Sequence, residues 1–252
     1  MPRPFTDTTA HTLAFTLGLL ALYPAIQDEL YSAISAVLPS LSEELVYSHI
    51  TALTYSLAVF METLRLYPSV VTIPKYSVED TIVPVRSFSL DGGKTDNTEG
   101  LKKVQVPRQS DVLLNVTGLH YNKLYWGEDA HTFRPSRFID RETPPQAEAA
   151  GEAAEGSYRW PREAFMGFSA GARSCLGQKF AQVEAVTIIT ELIRRYEVVL
   201  APGVLKEGES ADDARRRLLD GCTTVITLTP TPLPVVFKER RRDKEVRERF
   251  TH

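Results

Sequence analysis

The stretch that most restricts this chain is Phe168-Ser-Ala-Gly171-Ala-Arg173-Ser-Cys175-Leu-Gly177-Gln-Lys-Phe-Ala181, which leads into a long apolar-periodic segment. A thiolate acts as a metal ligand when a rigid loop holds and shelters it. Gly171 and Gly177 allow a tight turn and close backbone approach on either side of Cys175. Arg173 adds a permanent cation that can hold an anionic group. The periodic segment predicts a helix starting near Leu176 or Gly177, whose first amides and dipole favour a thiolate at Cys175. Phe168 can pack over the loop. A one-thiolate metal ligand and a buried structural cysteine in a glycine-rich turn both satisfy this pattern.

The 252 residues suffice for one large domain or two small ones. A net charge of −3, with acids and bases nearly balanced, leaves no nucleic-acid footprint. Cys175 and Cys222 are the only cysteines, which excludes a disulfide scaffold or zinc cluster and fits a reducing compartment. The apolar run Leu13–Leu22 faintly imitates a signal peptide, but no small-x-small cleavage site follows and the run is too short to span a bilayer. A buried helix from Asp7 to Leu22, apolar almost all round, is expected, ending at Tyr23-Pro24.

Further helices are expected over Pro24 to Val37 and Ser42 to Leu66, the latter capped by Ser42. Glu62 and Arg65, at i,i+3, share a helical face within an apolar setting. Val70 to Val85 and Val104 to Val116 read as β-rich. Asp91-Gly92-Gly93-Lys94 reads as a turn. His120 and His131 read as structural or exposed rather than as metal ligands. Glu142 to Ser157 reads as a surface insertion. The helix from Gly177 to Tyr196 should bury Phe180, Val183, Ile188 and Leu192. Lys206 to Leu219 reads as a charged loop with partial helical character, Thr223 to Phe237 as β-branched and proline-punctuated, and Lys238 to Arg249 as a solvated basic tail.

The cysteine stretch closely resembles the haem-ligand signature of the cytochrome P-450 family, Phe-x-x-Gly-x-Arg-x-Cys-x-Gly-x-x-x-Ala, at all six fixed positions. Other landmarks of the family follow in its order. Phe5-Thr6-Asp7-Thr8-Thr9 resembles the end of the oxygen-binding helix, with Asp7 and Thr8 on the acid and alcohol positions. Pro4 and Phe5 stand where the family has the small Ala-Gly pair that leaves room for dioxygen. Read without the resemblance, Asp7-Thr8-Thr9 is an ordinary helix N-cap. Glu62-Thr-Leu-Arg65 followed by Leu-Tyr-Pro68 resembles the Glu-x-x-Arg helix. Trp126-Gly-Glu-Asp-Ala and Phe133-Arg-Pro-Ser-Arg137-Phe138 resemble the run that supplies the second arginine of a Glu-Arg-Arg network. Pro107-Arg108-Gln109 stands where the family often has Pro-Lys-Gly.

The resemblance implies a mainly α fold with a small β region, the C-terminal half of the cytochrome P-450 fold, spread over residues 1–252 with the N-terminal half of the domain absent. It implies haem bound through Cys175, with Phe168, Gly171, Gly177 and Ala181 shaping the loop. Arg173 would pair with propionates together with Lys75, which stands where an arginine is usual and keeps its charge without its bidentate fork. Thr8 and Asp7 would deliver protons. Val70, Thr72, Val225 and Ile226 would face substrate, and a post-cysteine β hairpin would carry the last two. The implied reaction inserts one atom of dioxygen into an apolar small molecule, with electrons from an NADPH-dependent flavin reductase. Eukaryotic microsomal members, fungal ones among them, are the subgroup resembled. These usually sit on the cytosolic face of the endoplasmic reticulum membrane, and this chain carries no anchor of its own. A haem-binding fragment without catalysis, or an enzyme with Cys175 as nucleophile, is the alternative. Pro2 and Pro4 cannot continue the oxygen-binding helix upstream without strain, which leads us to expect a truncated gene product with an exposed apolar surface.

Overall fold

The computed structural model describes residues 7–85, 102–139, 164–224 and 227–240. The expected turn at Asp91–Lys94, the Glu142–Ser157 insertion, most of the basic tail and the substrate candidates Val225 and Ile226 lie outside the described residues. The chain divides into two compact units, residues 72–115 and the remainder.

The smaller unit is β-structured, as its β-branched and proline-punctuated sequence predicts. Strand β1 (Thr72–Tyr76) pairs antiparallel with β4 (Asp111–Asn115), Thr72 opposite Asn115, and β2 (Thr81–Val85) pairs with β3 (Lys102–Val106), Thr81 opposite Val106. The turn before β4 is held by Asp80 Oδ1, which accepts the Arg108 N–H at 2.7 Å, and Gln109 adopts φ 68° there. A side chain thus takes up a left-handed conformation that glycine adopts more easily.

The larger unit is helical. Helix α1 (Asp7–Leu22) meets α2 (Pro24–Val37) at a bend of 109°. Tyr23, with φ −119° and ψ 73°, stays out of the helical region as a residue before proline must. Burial of α1 is less complete than its composition suggests. Phe15, Leu19, Leu20 and Leu22 enter the core together with Thr9, Thr12 and Thr16, while Ala10 and Ala14 face solvent. Two of the buried threonines bond within the helix and across to helix α3 (Thr54–Leu66): Thr12 Oγ1 donates to the Thr8 carbonyl at 2.9 Å, and Thr16 Oγ1 to the Thr12 carbonyl at 2.8 Å and to Thr63 Oγ1 at 3.1 Å. Among the described residues no single helix is long and apolar enough to cross a membrane.

Helix α3 runs from Thr54 to Leu66, much shorter than the expected Ser42–Leu66. Two observations account for the missing turns. Ser42 does not cap a helix but shares a hydrogen bond of 2.8 Å with Ser40. The Ser40 and Glu43 carbonyls are taken by the buried Arg194 guanidinium at 2.6 and 3.0 Å. The chain then passes through a 3-10 turn at Tyr47–His49 before α3 begins. The short helices α4 (Val116–His120) and α5 (Lys123–Trp126) follow, with the Asn122 side chain capping α5 at the Leu124 N–H.

The post-cysteine helix α6 (Gln178–Arg195) has its expected span but not its expected face. Phe180 is 71% exposed and Ile188 is also exposed, and Val183 and Leu192 are half-buried; the core is entered by Ala185, Val186, Ile189, Thr190 and Ile193. Polar contacts set this rotation. Thr190 Oγ1 meets Ser56 Oγ of α3 at 3.0 Å, and Arg194 must reach the 40–43 backbone. An apolar tally along the helix could not weigh these two side chains. Beyond α6, β5 (Tyr196–Leu200) pairs with β8 (Val235–Glu239), α7 (Ala211–Leu218) forms within the charged segment, and β6 (Thr223–Thr224) pairs with β7 (Leu228–Thr229). The hairpin expected over Thr223 to Phe237 is therefore only a two-residue ladder, since Val235 and Phe237 return to β5.

The observed face of α6 gives a direct check. Ile189→Ala should cost about 2–5 kcal/mol in denaturant unfolding, and Phe180→Ala within about 0.5 kcal/mol. The reverse ranking would restore the face expected from apolar spacing.

Candidate functional site

The site is organised around a carboxylate removed from water. Glu62 and Arg65 of α3 are both fully buried. Glu62 Oε2 accepts from Arg65 Nε at 2.7 Å. Its Oε1 accepts from Arg65 Nη2 at 2.9 Å, Arg137 Nε at 3.1 Å and the Arg134 backbone N–H at 2.9 Å. The expected network of Glu62, Arg65 and Arg137 is therefore assembled, with more partners than the three charges alone. Arg65 Nη1 donates to the His120 and Ala130 carbonyls at 2.8 and 2.6 Å, and its guanidinium lies 5.0 Å from the Trp126 ring centre. Arg137 adds the Trp126 and Asp129 carbonyls and the Asp129 carboxylate. A buried pair with this many satisfied lone pairs and protons fixes geometry; removing one partner strands the other's charge.

His120, expected to be structural or exposed, is fully buried. Its ring lies 2.9 Å by Nδ1 from the Arg65 carbonyl, which can only accept, so Nδ1 carries the proton. Nε2 accepts the Met166 backbone N–H at 2.8 Å. Phe165 stacks on the ring at 5.1 Å with planes 3° apart. His131 is exposed and stacks on Tyr121.

Met166 opens the cysteine loop. Gly167 follows, where a Cβ would come within 2.7 Å of Leu64 on α3 and of the Phe165 ring, so any larger residue would have to displace those side chains. The Phe168 ring is half-buried and borders a cavity of about 500 Å³ between α3 and α6. Ser169 and Gly171 take φ 60° and 77°, the left-handed conformations that reverse the chain. The Cys175 N–H then donates to the Phe168 carbonyl at 2.8 Å, closing the loop. Cys175 is exposed and free. Gly177, with φ −85° and ψ 5°, lies in the turn expected there, closed by the Gln178 N–H on the Cys175 carbonyl at 3.4 Å, but in a conformation open to any residue; the left-handed turn at Gly171 is shared with Ser169. Neither glycine is tightly packed: a Cβ at Gly177 would meet only Cys175 Sγ, at an ordinary 4.0 Å, and one at Gly171 would meet nothing. Arg173 is exposed on a 3-10 turn two residues before Cys175, and Ala181 is half-buried in the first turn of α6.

The remaining candidates are dispersed. Asp7 is exposed and Thr8 half-buried at the start of α1. The Thr8 carbonyl also accepts from Ser69 Oγ at 3.4 Å, while Ser69 Oγ meets Thr12 Oγ1 at 3.1 Å. Val70 is exposed next to Ser69, whose carbonyl accepts the Leu228 N–H at 2.9 Å; Thr227 Oγ1 reaches His11 Nδ1 at 3.3 Å. A junction of α1, the end of α3 and the 227–228 segment thus exists, made by Thr12, Ser69, His11 and Thr227. None of these stood out in the sequence, because isolated hydroxyls carry no pattern. Lys75 and Thr72 belong to the smaller unit. Cys222 immediately precedes β6; it is half-buried, and burial pushes its thiol pKa up.

Residues 6–212 match the sequence profile of the family described as Cytochrome P450. The chain belongs to the cytochrome P450 family. This P450 chain is 39% identical over 236 residues to cytochrome P450 monooxygenase 124 of Postia placenta, covering 93% of the chain and 40% of that protein. It is 33% identical over 198 residues to ganoderic acid synthetase CYP5150L8 of Ganoderma lucidum, covering 77% and 34%. It is 32% identical over 200 residues to cytochrome P450 52A6 of Candida tropicalis, covering 78% and 34%. The chain spans at most 40% of the length of these relatives. Its mainly α architecture with a small β region is the one the resemblance implied.

In this P450 chain, Arg65→Ala should lower stability by about 3–5 kcal/mol through the stranded Glu62 carboxylate. Lys123→Ala, which removes an exposed ion pair to Glu128, should cost at most about 1 kcal/mol. Chemical denaturation of the two variants makes the comparison.

Proposed function

We propose that this chain is the haem-binding part of a monooxygenase, with Cys175 as the axial iron ligand and residues 1–252 forming part of one P450 domain. The observation that carries the reading is the exposed Cys175 thiol, placed by the Phe168 carbonyl hydrogen bond and a left-handed turn at the foot of α6. The donor set fits haem: a soft single thiolate suits iron, open space surrounds Gly171 and Gly177, and Arg173 stands exposed nearby. When bound, a haem with a cysteine thiolate ligand supplies the chemistry of dioxygen cleavage.

The chain's own residues do the rest. The Cys175 N–H bond to Phe168 holds the sulfur in one place, which limits loss of the ligand. Gly171 and Gly177 add no side-chain bulk around Cys175 and would leave room for the cofactor, and Ala181 is the small residue of the first turn of α6. Arg173 would pair with a haem propionate, and the resemblance names Lys75 as a second cation, a point charge rather than a fork. The exposed Asp7 carboxyl exchanges protons with water and the Thr8 hydroxyl relays them inward, a general-acid role. The resemblance names Val70, Thr72, Val225 and Ile226 as the residues for an apolar small-molecule substrate, the last two outside the described residues. An NADPH-dependent flavin reductase provides the electrons, and the endoplasmic reticulum membrane is the expected setting.

The ligand assignment is tested by carbon monoxide difference spectra of the haem-reconstituted chain. Cys175→Ala should abolish the red-shifted Soret band of the ferrous complex, and Cys222→Ala should keep it. A red-shifted band surviving in the Cys175 variant, or a wild-type chain that takes up no haem, contradicts the proposal.

A further inference from the structure

We infer that His120 is a positioning residue for the cysteine loop: its imidazole latches Met166 to α3, and a proton on Nε2 releases the latch. The catalytic relevance of the loop rests on the reading of Cys175 given above; the latch itself does not.

Three contacts converge on the ring. Nδ1–H donates to the Arg65 carbonyl at 2.9 Å, and Nε2 accepts the Met166 N–H at 2.8 Å. Phe165, the residue before Met166, stacks on the ring face. The chain of contacts then runs from Met166 through Gly167, wedged against Leu64, to the Phe168 carbonyl that holds the Cys175 N–H. His120 is thus the one hydrogen-bonded side chain described between the Glu62–Arg65 network and the start of this loop.

The tautomer is forced. A carbonyl only accepts and a backbone N–H only donates, so the ring must present N–H at Nδ1 and a lone pair at Nε2. Protonating Nε2 sets two N–H groups against each other at 2.8 Å and breaks the Met166 bond. The surroundings resist that proton. Burial is the main cause of a His120 pKa lowered to about 4, with the Arg65 charge acting in the same direction against its own carbonyl. From α3 the ring is faced by Arg65, whose guanidinium donates to the His120 carbonyl, with Glu62 behind it and Arg137 beyond. From the loop and α5 it is faced by the uncharged rings of Phe165 and Trp126. Because the folded pKa lies below the ordinary 6.5, the unfolded chain binds the proton more readily. The stabilisation is therefore complete above about pH 6.5 and is lost as pH falls towards about 4.

The test uses the chain without haem. Long-range proton–nitrogen spectra at pH 7 should show His120 as the neutral Nδ1–H tautomer, and Met166 amide protection should fall as pH drops towards 4. His120→Asn retains a donor near Nδ1 but no acceptor at Nε2, and should lower Met166 protection about tenfold while the Arg134 amide, bound to Glu62, keeps its protection. His120→Gln, whose amide oxygen can take the place of Nε2, should restore Met166 protection. In the haem-loaded chain His120→Asn should also raise the fraction of ferrous carbon monoxide complex that lacks the red-shifted Soret band. An Nε2–H tautomer or a charged ring at pH 7 overturns the inference even if no variant folds. So does unchanged Met166 protection in His120→Asn, or equal loss at Met166 and Arg134. Failure to load haem with the amide result intact would count against the haem reading alone.

Discussion

Everything near the cysteine loop hangs from the Glu62 carboxylate. A carboxylate with no solvent contact is costly unless each lone pair is used. Here two guanidiniums and one backbone N–H converge on it, and those donors come from α3 itself, from the Arg134 backbone and from the 3-10 turn at Pro135–Phe138. A carboxylate cannot be satisfied by two separate segments, α3 and the 134–138 turn, unless they stand in one arrangement. The requirement therefore works as a register device: it fixes where the 126–138 run lies on α3, and with it the carbonyls of His120, Ala130 and Asp129 that the two arginines reach.

Directed polar contacts recur at other places in the core. The α1 threonines bond to helix carbonyls and to Ser69 and Thr63, so an otherwise apolar helix can pack against α3 in one rotational setting. Arg194 holds the 40–43 backbone, and Ser56 with Thr190 joins α3 to α6. Apolar contacts between these helices are non-directional; the hydroxyls and guanidiniums choose among the packings they allow. The cysteine loop inherits that choice through Leu64 under Gly167 and the His120 ring under Phe165.

Much of this was legible in the chain. The cysteine motif, the Glu62–Arg65 spacing and the Arg137 run carry dense, ordered signals, and the network they imply is assembled. The helix ends at Tyr23-Pro24 and Leu66 follow from proline and apolar spacing. Three things were not legible. The face of α6 depends on Thr190 and Arg194, polar residues that an amphipathic reading places outside. The late start of α3 depends on Arg194, more than 140 positions away, binding the Ser40 and Glu43 carbonyls. The role of His120 depends on a backbone N–H, which every residue but proline possesses and which leaves no trace in sequence. Gly167 was overlooked because the signature it precedes begins at Phe168, and of the two glycines read as turn-makers only Gly171 takes a positive φ.

The most direct measurement of this account is a double-mutant cycle on Glu62 and Arg137, using Glu62→Gln, Arg137→Gln and the double variant in denaturant unfolding. The shared carboxylate predicts a coupling energy of about 1–3 kcal/mol, with the double variant more stable than the two single losses added together. Single losses that add to within about 0.5 kcal/mol would show that the two residues act independently and that the carboxylate is not what holds the arrangement in place.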